Sequence, residues 1–401
     1  MESDNRIKIN QQWVWLIGLL ILIDTGACTV MKAHEFPPGA VLPTASVAPP
    51  LPTEILVLQP QPTLTVNKTQ ISEQTFLWGE KKLIVSPGQY IGYHTDFKRA
   101  DYILRNSDSG ASIILKNFPF VRHEGTYRSG IIFYYSDYGG FLSLDLLNGT
   151  DPEEIPFNQN DQSVFINPFS LSASPDLKWL AFSATALVGD DDDAGSSLTL
   201  EDTPSIYILS LADHSVFRLT TSLGVETTPA WSPDGKYLLY SVDTDHYNSQ
   251  DQNAPGNFDL YMLAADCLTQ HPAECEGQAK KIPLPDEIIS ADDPAWSPDG
   301  QQIIFECMFE VPNDDYPGSF YSQSDICRVS RLDWAWENIT NSPDEDEYAP
   351  IWSPDGNSIA FIKAGKDFYD VFTMNVHGEG IKNITNTPNI AEALDFWAAI
   401  Q

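Results

Sequence analysis

A seven-residue motif recurs in the C-terminal half of this 401-residue chain and constrains its fold more than any other feature. The three copies read PAWSPDG at 229–235, PAWSPDG at 294–300 and PIWSPDG at 350–356. Proline suits the first central position of a type I turn, aspartate suits the next, and glycine closes the turn. An apolar run follows each copy, so each motif predicts a strand, a tight turn and a second strand of one repeating unit.

The same unit continues beyond the motif and returns upstream in weaker form. In the three strong copies the next predicted strand begins with an aspartate, at Asp259, Asp325 and Asp370, and two of the units end in the sequence NITN. Weaker turns occur at 172–177 and 86–93, with a hairpin pattern between them that lacks the motif. We therefore expect six units, with seven left open because the second is so weakly marked.

The tryptophan before each turn belongs on the innermost strand, where a wide flat side chain fills the wedge between neighbouring units. Three intact copies followed by the same strand pattern resemble the TolB-like, WD-repeat-like β-propellers, and the resemblance covers residues 73–401. It implies an all-β propeller of six four-stranded blades. It also implies an envelope protein that works through contacts with a protein or peptide partner.

The C-terminal residues predict how the ring closes. Trp352 lies 14 residues after Asn338, and Trp397 lies 14 residues after Asn383. Residues 392–397 therefore look like the inner strand of another blade whose remainder is missing. We expect this strand to complete or flank the N-terminal blade, which leaves no free sheet edge at the seam.

The N-terminus predicts export. Trp13 to Ile23 is an uninterrupted apolar run, too short to span a bilayer as a helix and suited to a signal-peptide core. Gly26 and Ala27 precede Cys28 in a pattern that resembles a bacterial lipobox, which predicts lipidation of Cys28; plain cleavage or an uncleaved anchor are the alternatives. Residues 1–28 are then the signal segment, and residues 29–72 a disordered proline-rich tether.

Cysteine usage supports an extracytoplasmic location, as a membrane-anchored lipoprotein or a secreted protein. Without Cys28, four of the five cysteines remain, which suits two disulfides in an exported domain. Cys307 and Cys327 fall on antiparallel strands of one predicted blade, so a cross-strand disulfide is expected there. Cys267 and Cys275 are expected to close a short loop.

Charge narrows the range of partners. The chain has 22 Lys and Arg against 56 Asp and Glu, a net charge of −34. Such a charge repels nucleic acids and anionic membrane surfaces, so a membrane is expected to hold the chain only through a lipid anchor. The chain is expected to be a monomer that binds an envelope protein or peptide.

The sequence lacks the common catalytic signatures. The sequence contains no Gly-x-Ser-x-Gly nucleophile elbow and no phosphate-binding glycine-rich loop, and its histidines show no metal-ligand spacing. We expect a non-enzymatic scaffold. Because propellers host many chemistries, a glycan-binding or hydrolytic propeller with a site at the same face is the alternative.

Two groups of acidic residues are candidate sites. Glu226, Glu347 and Glu392 each lie five residues before an inner-strand tryptophan, with Asp292 and Asp293 near the corresponding place in the fifth unit. Equivalent positions of a propeller converge, so these carboxylates predict a ring at the channel mouth that attracts cations or a basic peptide.

Acidic residues in two predicted insertions raise the question of calcium. They are Asp190, Asp191, Asp192 and Asp193 in the third unit, and Asp243, Asp245 and Asp251 in the fourth. Adjacent carboxylates usually form a solvated loop, because a calcium site needs alternating ligands and backbone carbonyls. We expect no cofactor, with calcium left open.

Overall fold

The chain divides into residues 1–70 and 71–401, and every residue that the computed structural model describes lies in the second unit. The described residues are 73–77, 88–95, 102–116, 125–136, 140–146, 153–157, 164–189, 198–200, 203–220, 224–243, 257–270, 275–312, 320–342, 345–365, 368–386 and 392–400. The predicted signal segment, Cys28 and the tether lie outside them.

Six sheets account for the described strands, one for each predicted unit. Blade 1 holds β1 (Glu73–Leu77), β2 (Gly88–Thr95), β3 (Tyr102–Asn106), β4 (Ser112–Lys116) and β26 (Glu392–Ile400). Blade 2 holds β5 (Thr126–Arg128), β6 (Ile131–Ser136), β7 (Gly140–Asp145) and β8 (Glu153–Ile155). Blade 3 holds β9 (Val164–Ala173), β10 (Trp179–Gly189), β11 (Leu198–Leu200), β12 (Ser205–Ser210) and β13 (Val216–Arg218).

The three strongly marked units form the remaining blades. Blade 4 holds β14 (Val225–Trp231), β15 (Tyr237–Asp243), β16 (Phe258–Ala264) and β17 (Lys280–Lys281), with the short helix α1 (Cys267–Gln270) and a 3-10 turn (Glu276–Gln278) between its last two strands. Blade 5 holds β18 (Ser290–Trp296), β19 (Gln302–Pro312), β20 (Phe320–Ser330) and β21 (Trp336–Asn338). Blade 6 holds β22 (Asp346–Trp352), β23 (Ser358–Gly365), β24 (Phe368–Asn375) and β25 (Lys382–Asn383).

The blades form a closed ring. Their inner strands contact one another in the order β5, β9, β14, β18, β22, β26 and back to β5. The prediction of an all-β propeller with six blades is confirmed, and the weakly marked second unit is a blade of its own. Blades 1 and 3 each carry one strand more than the four predicted, because β1 pairs in parallel with β4 and β11 pairs with the end of β10.

The C-terminal strand closes the ring as predicted. β26 pairs antiparallel with β2, so that Trp397 lies opposite Ile91. Blade 2 is joined to the same strand: the Gly125 amide donates to Asp395 Oδ1 at 2.9 Å, and the Tyr127 hydroxyl donates to the carbonyl of Ala399 at 3.2 Å.

Each strong motif forms the same hydrogen-bonded turn. In blade 4 the Ser232 hydroxyl donates to Asp234 Oδ1 at 2.8 Å and accepts from the Tyr237 amide at 2.9 Å. Gly235 has a φ of +69°, in the left-handed region that glycine adopts without steric cost. In the weaker copy Leu177 takes that position with a φ of +56°, so the turn persists without its glycine.

The core lies between blades, with the motif tryptophans as wedges. Trp231 packs in one cluster with Ile206 of blade 3 and Leu238 of its own blade. Trp296 is likewise buried, and its indole Nε1 donates to the carbonyl of Ala230 on the preceding inner strand at 3.1 Å. The predicted role of these side chains is confirmed.

Both predicted disulfides are present. Cys267 is joined to Cys275, with their Cα atoms 5.5 Å apart, and Cys307 of β19 is joined to Cys327 of β20, with Cα atoms 5.7 Å apart. Among the described residues, no helix has both the length and the apolar character needed to cross a membrane.

Candidate functional site: buried carboxylates at the loop face

Every blade of an antiparallel meander presents two ends. We call the turn face the end that carries the Ser-Pro-Asp-Gly turns. The loop face is the opposite end, where the second strand of a blade connects to the third and where the chain crosses to the next blade. The inner strands of blades 4, 5 and 6 begin at the loop face, with Val225, Ser290 and Asp346. The predicted ring residues stand near these starts.

Glu226 joins blade 4 to blade 3. Its side chain is fully buried, and its Oε2 accepts a hydrogen bond from the Thr220 hydroxyl at 3.1 Å. Its backbone amide donates to the carbonyl of Pro204 at 3.1 Å. The threonine hydroxyl also accepts from the Ile206 amide, so this carboxylate is fixed against the start of β12 and the residues that follow β13 in the neighbouring blade.

Glu347 takes the equivalent place in blade 6 and has a cationic partner. It is fully buried and lies opposite Lys363 in the strand register, with Lys363 Nζ 3.3 Å from its Oε1. The Ser342 hydroxyl donates to the same oxygen at 2.6 Å. Burial raises the pKa of Glu347 to about 7, although the serine and the lysine oppose the shift. This carboxyl therefore titrates near neutral pH.

Blade 5 departs from the predicted spacing. The residue five places before Trp296 is Ala291, which lies opposite the disulfide-bonded Cys307. The carboxylate comes one residue later, at Asp292, directly across the sheet from Glu306. Asp292 therefore lies one residue closer to its tryptophan than Glu226 and Glu347 lie to theirs.

A second carboxylate pair crosses from blade 5 to blade 6. The Ser324 hydroxyl donates to Glu306 Oε1 at 2.8 Å, and the Ser324 amide donates to Asp346 Oδ1 at 3.0 Å. Burial raises the pKa of Glu306 well above its usual range, and the nearby Asp292 and Asp346 carboxylates raise it further. Burial also raises the pKa of Asp292, against the hydrogen bonds that it accepts. One of these comes from the Thr228 hydroxyl of blade 4, at 2.8 Å.

The carboxylate network thus spans three blades and includes two residues that the spacing did not identify. Glu306 is a single carboxylate within the apolar run IIFECMF, and Asp346 stands in the acidic run DEDE. The isolated charge in an apolar strand was the available signal for Glu306, because a buried strand residue of that type needs polar partners.

A recurring bulge separates the tryptophan half of each inner strand from its carboxylate half. Thr228, Asp293 and Ala349 have φ of +50°, +48° and +47°, and each precedes a proline. The strand register shifts at all three positions. Such bulges re-aim the side chains that follow, and non-glycine residues adopt this backbone only where their surroundings enforce it.

The structure gives less information on the other predicted site residues. The backbone of Glu392 begins β26 opposite Thr95, and Asp243 is buried at the end of β15. Asp245, Asp251 and the run Asp190–Asp193 lie outside the described residues. Within the described ranges, no group of three or more His, Cys, Asp or Glu side chains is arranged to hold a metal ion.

These repeats, their turns and the closed six-bladed ring define a TolB-like β-propeller. No protein-family model matches the chain. The Tol-Pal system protein TolB of Francisella tularensis subsp. holarctica (strain OSU18) is 23% identical over 329 residues, which cover 73% of this chain and 65% of that protein. The chain therefore spans less than two thirds of the length of this curated relative.

A solved structure shows the same fold. The crystal structure of TolB from Acinetobacter baumannii superposes with a TM-score of 0.52 at 16% identity, covering 78% of this chain and 66% of that one. A putative TolB from Agrobacterium tumefaciens is similar with a TM-score of 0.49 at 18% identity, covering 79% of this chain and 100% of that one.

Proposed function

We propose that the chain is a non-enzymatic, extracytoplasmic scaffold that binds a protein or peptide partner at its loop face. The observation that carries this proposal is the set of carboxylates that blades 4, 5 and 6 hold at that face. A propeller builds such a set at a stability cost, since buried carboxyl groups are poorly solvated. Retaining several at one end is consistent with a recognition role there.

The electrostatics of the loop face favour a basic partner. Exposed acidic residues occur in the connections and strand ends of this face, with Asp286 and Glu287 between β17 and β18 and Glu310 near the end of β19. In the sequence, the segments 190–197, 244–256 and 313–319, which lie outside the described residues, contain eight aspartates and no lysine or arginine. A concentration of one charge at one face steers an oppositely charged partner toward it.

We propose an envelope location on the N-terminal sequence, in which an apolar run precedes Cys28. The relatives are named Tol-Pal system proteins, and we take the partner to be an envelope protein of a comparable system. Labelling cells with a radioactive fatty acid tests the anchor. The full chain should take up label, Cys28→Ser should not, and label on Cys28→Ser would contradict lipidation at this residue.

The partner site is tested by crosslinking the full chain in cells and quantifying the partner that it recovers. Replacing Glu226, Glu347 and Glu392 together by glutamine should reduce recovery about tenfold or more at about pH 8, where Glu347 is ionised. The amides remove negative potential from the loop face, which acts on a partner at a distance although Glu226 and Glu347 are buried. The matched control changes three exposed aspartates of the turn face, Asp213, Asp333 and Asp355, to asparagine. Equal recovery with both triple variants would rule out the ring, provided that both melt like the parent.

A further inference from the structure

The hairpin of β19 and β20 is longer than its neighbours at the loop face. β18 pairs with β19 only as far as Met308, and β21 pairs with β20 only over 327–329. Among the described residues, 309–312 and 320–323 pair with each other and with no third strand. At about 3.4 Å per residue, the hairpin extends roughly 14 Å past the end of its inner strand.

The two faces of this hairpin end differ in chemistry. Consecutive strand residues point to opposite faces, so Phe309, Val311 and Tyr321 share one face, and Phe309 packs against the core between blades 4 and 5. The other face carries Glu310 opposite Ser322 and Pro312 opposite Phe320. The first face is thus apolar apart from the buried Gln323, which lies opposite Phe309, and the second face carries the aromatic Phe320 and the acidic Glu310.

Two aromatic side chains at this end are open to solvent. Phe320 is 60% exposed and Tyr321 is 42% exposed, one on each face of the hairpin. Exposed aromatics beside an unpaired strand edge favour pairing with another chain. Natural proteins usually protect such an edge, and this one is protected on one side only.

The protected side is β19, whose Pro312 has no amide hydrogen to offer an added strand. β20 contains no proline from Phe320 to Ser330. Its outer neighbour, β21, pairs only with the three residues from Cys327 to Val329. The outer edge of β20, from Phe320 to Ser322, is therefore the place where a strand can add.

The charge of the hairpin favours one of two possible binding partners, a second copy of this chain or a segment of another protein. Glu310 is exposed on the hairpin, and the paired residues 309–312 and 320–323 include no lysine or arginine. A second copy of this chain, with its net charge of −34, would bring like charges together. A basic segment of another protein is the complementary occupant.

We propose that the outer edge of β20 binds an extended segment of a partner protein in which apolar and basic residues alternate. The inference rests on the proposed protein-binding function and adds a contact away from the ring axis. The apolar side chains of such a segment lie along the face of Tyr321. Its basic side chains lie along the other face, where Glu310 offers an ion pair and Phe320 offers a cation–π contact.

Fluorescence anisotropy of the full chain with a labelled peptide of alternating lysine and valine tests this inference. Phe320→Ser combined with Tyr321→Ser should weaken binding about tenfold or more, because exposed aromatic anchors dominate such contacts. Leu332→Ser is the matched control: Leu332 is 88% exposed in a turn at the turn face, and its loss should leave affinity unchanged. Methylating the backbone nitrogens of the peptide should abolish binding if a strand adds.

Several results would overturn the inference: no binding of the lysine–valine peptide, equal binding of a lysine–serine peptide, or equal affinity of the hairpin double variant and the parent. The glutamine triple variant of the ring separates the two proposals. If it loses the cellular partner while the hairpin variant keeps it, the proposed function stands and the hairpin contact falls. If the hairpin variant loses the partner and the ring variant keeps it, the hairpin contact holds without the ring.

Discussion

The same residue types behave in opposite ways at the two ends of the ring. At the turn face, the Ser297 hydroxyl lowers the pKa of Asp299 and the Ser353 hydroxyl lowers that of Asp355, helped in each turn by a backbone amide. At the loop face, burial raises the pKa of Glu306 and Glu347. One end uses ionised carboxylates to build turns, whereas the other retains carboxyl groups at a cost in stability, as functional sites often do.

The two ends should therefore respond oppositely to pH. A group with a lowered pKa contributes stability that is lost as pH falls through its folded-state pKa. A group with a raised pKa contributes stability that is lost as pH rises through its folded-state pKa. For Glu347 this loss occurs from its ordinary value of 4.5 up to about 7.

The largest difference between the ends should come from removing a lysine. Lys363→Met leaves Glu347 buried without its cation, which should lower the free energy of unfolding by about 3 kcal/mol. Urea denaturation should show a larger loss at about pH 8 than at about pH 5, because Glu347 is protonated in acid. Lys236→Met is the control: Lys236 lies 3.2 Å from Asp234 on the surface of the turn face, where a pair is worth under about 1 kcal/mol. Equal losses in the free energy of unfolding for the two variants would show that the ion pairs of the two faces do not differ in this way.

An intermediate effect is expected from Asp299→Ala. Asp299 accepts hydrogen bonds from the Ser297 hydroxyl at 2.6 Å and the Gln301 amide at 3.0 Å, and their loss should cost about 1 kcal/mol. The cost should shrink as pH falls below the usual range of an aspartate, measured by thermal unfolding across acidic pH. A cost that is independent of pH would show that the ionised form does not stabilise this turn, and the exposed Asp286→Ala gives the baseline.

The smallest effect in acid is expected from Glu306→Gln. Burial raises the pKa of Glu306 well above its ordinary 4.5, so at about pH 4 or below the carboxyl is protonated in both the folded and the unfolded chain, and stability should change by less than roughly 0.5 kcal/mol. As pH rises above that value the variant should become progressively more stable than the parent, because the unfolded parent releases the proton that the folded parent retains. Parallel stability curves for the two proteins from acidic to alkaline pH would place Glu306 in a solvated environment and remove it from the comparison.

The sequence was sufficient to predict the features that depend on patterns and interactions within one repeat. The turn, the wedge tryptophan and the closing strand follow from patterns within one repeat, since Ser232 and Asp234 bond to their own neighbours. The contact between Glu306 and Asp346 was not predicted, because it crosses from one blade to the next through Ser324. The different position of the carboxylate in blade 5 was visible in the sequence, because Asp292 lies four and not five residues before its tryptophan. The bulge that all three inner strands share was not predicted, since it appears only when the pairing with the second strand is known.

The pairing of β26 with β2 has a consequence for the order of folding. Ile91 reaches its partner Trp397 only after the five blades between them have been made, so the first blade of the propeller to be synthesised is the last to be completed. Contacts of such sequence separation are slow to form and leave apolar surface open meanwhile. During that interval the unpaired edge of β2 in blade 1 is exposed and would need the protection of a chaperone. A chain truncated before β26 would keep that edge exposed permanently.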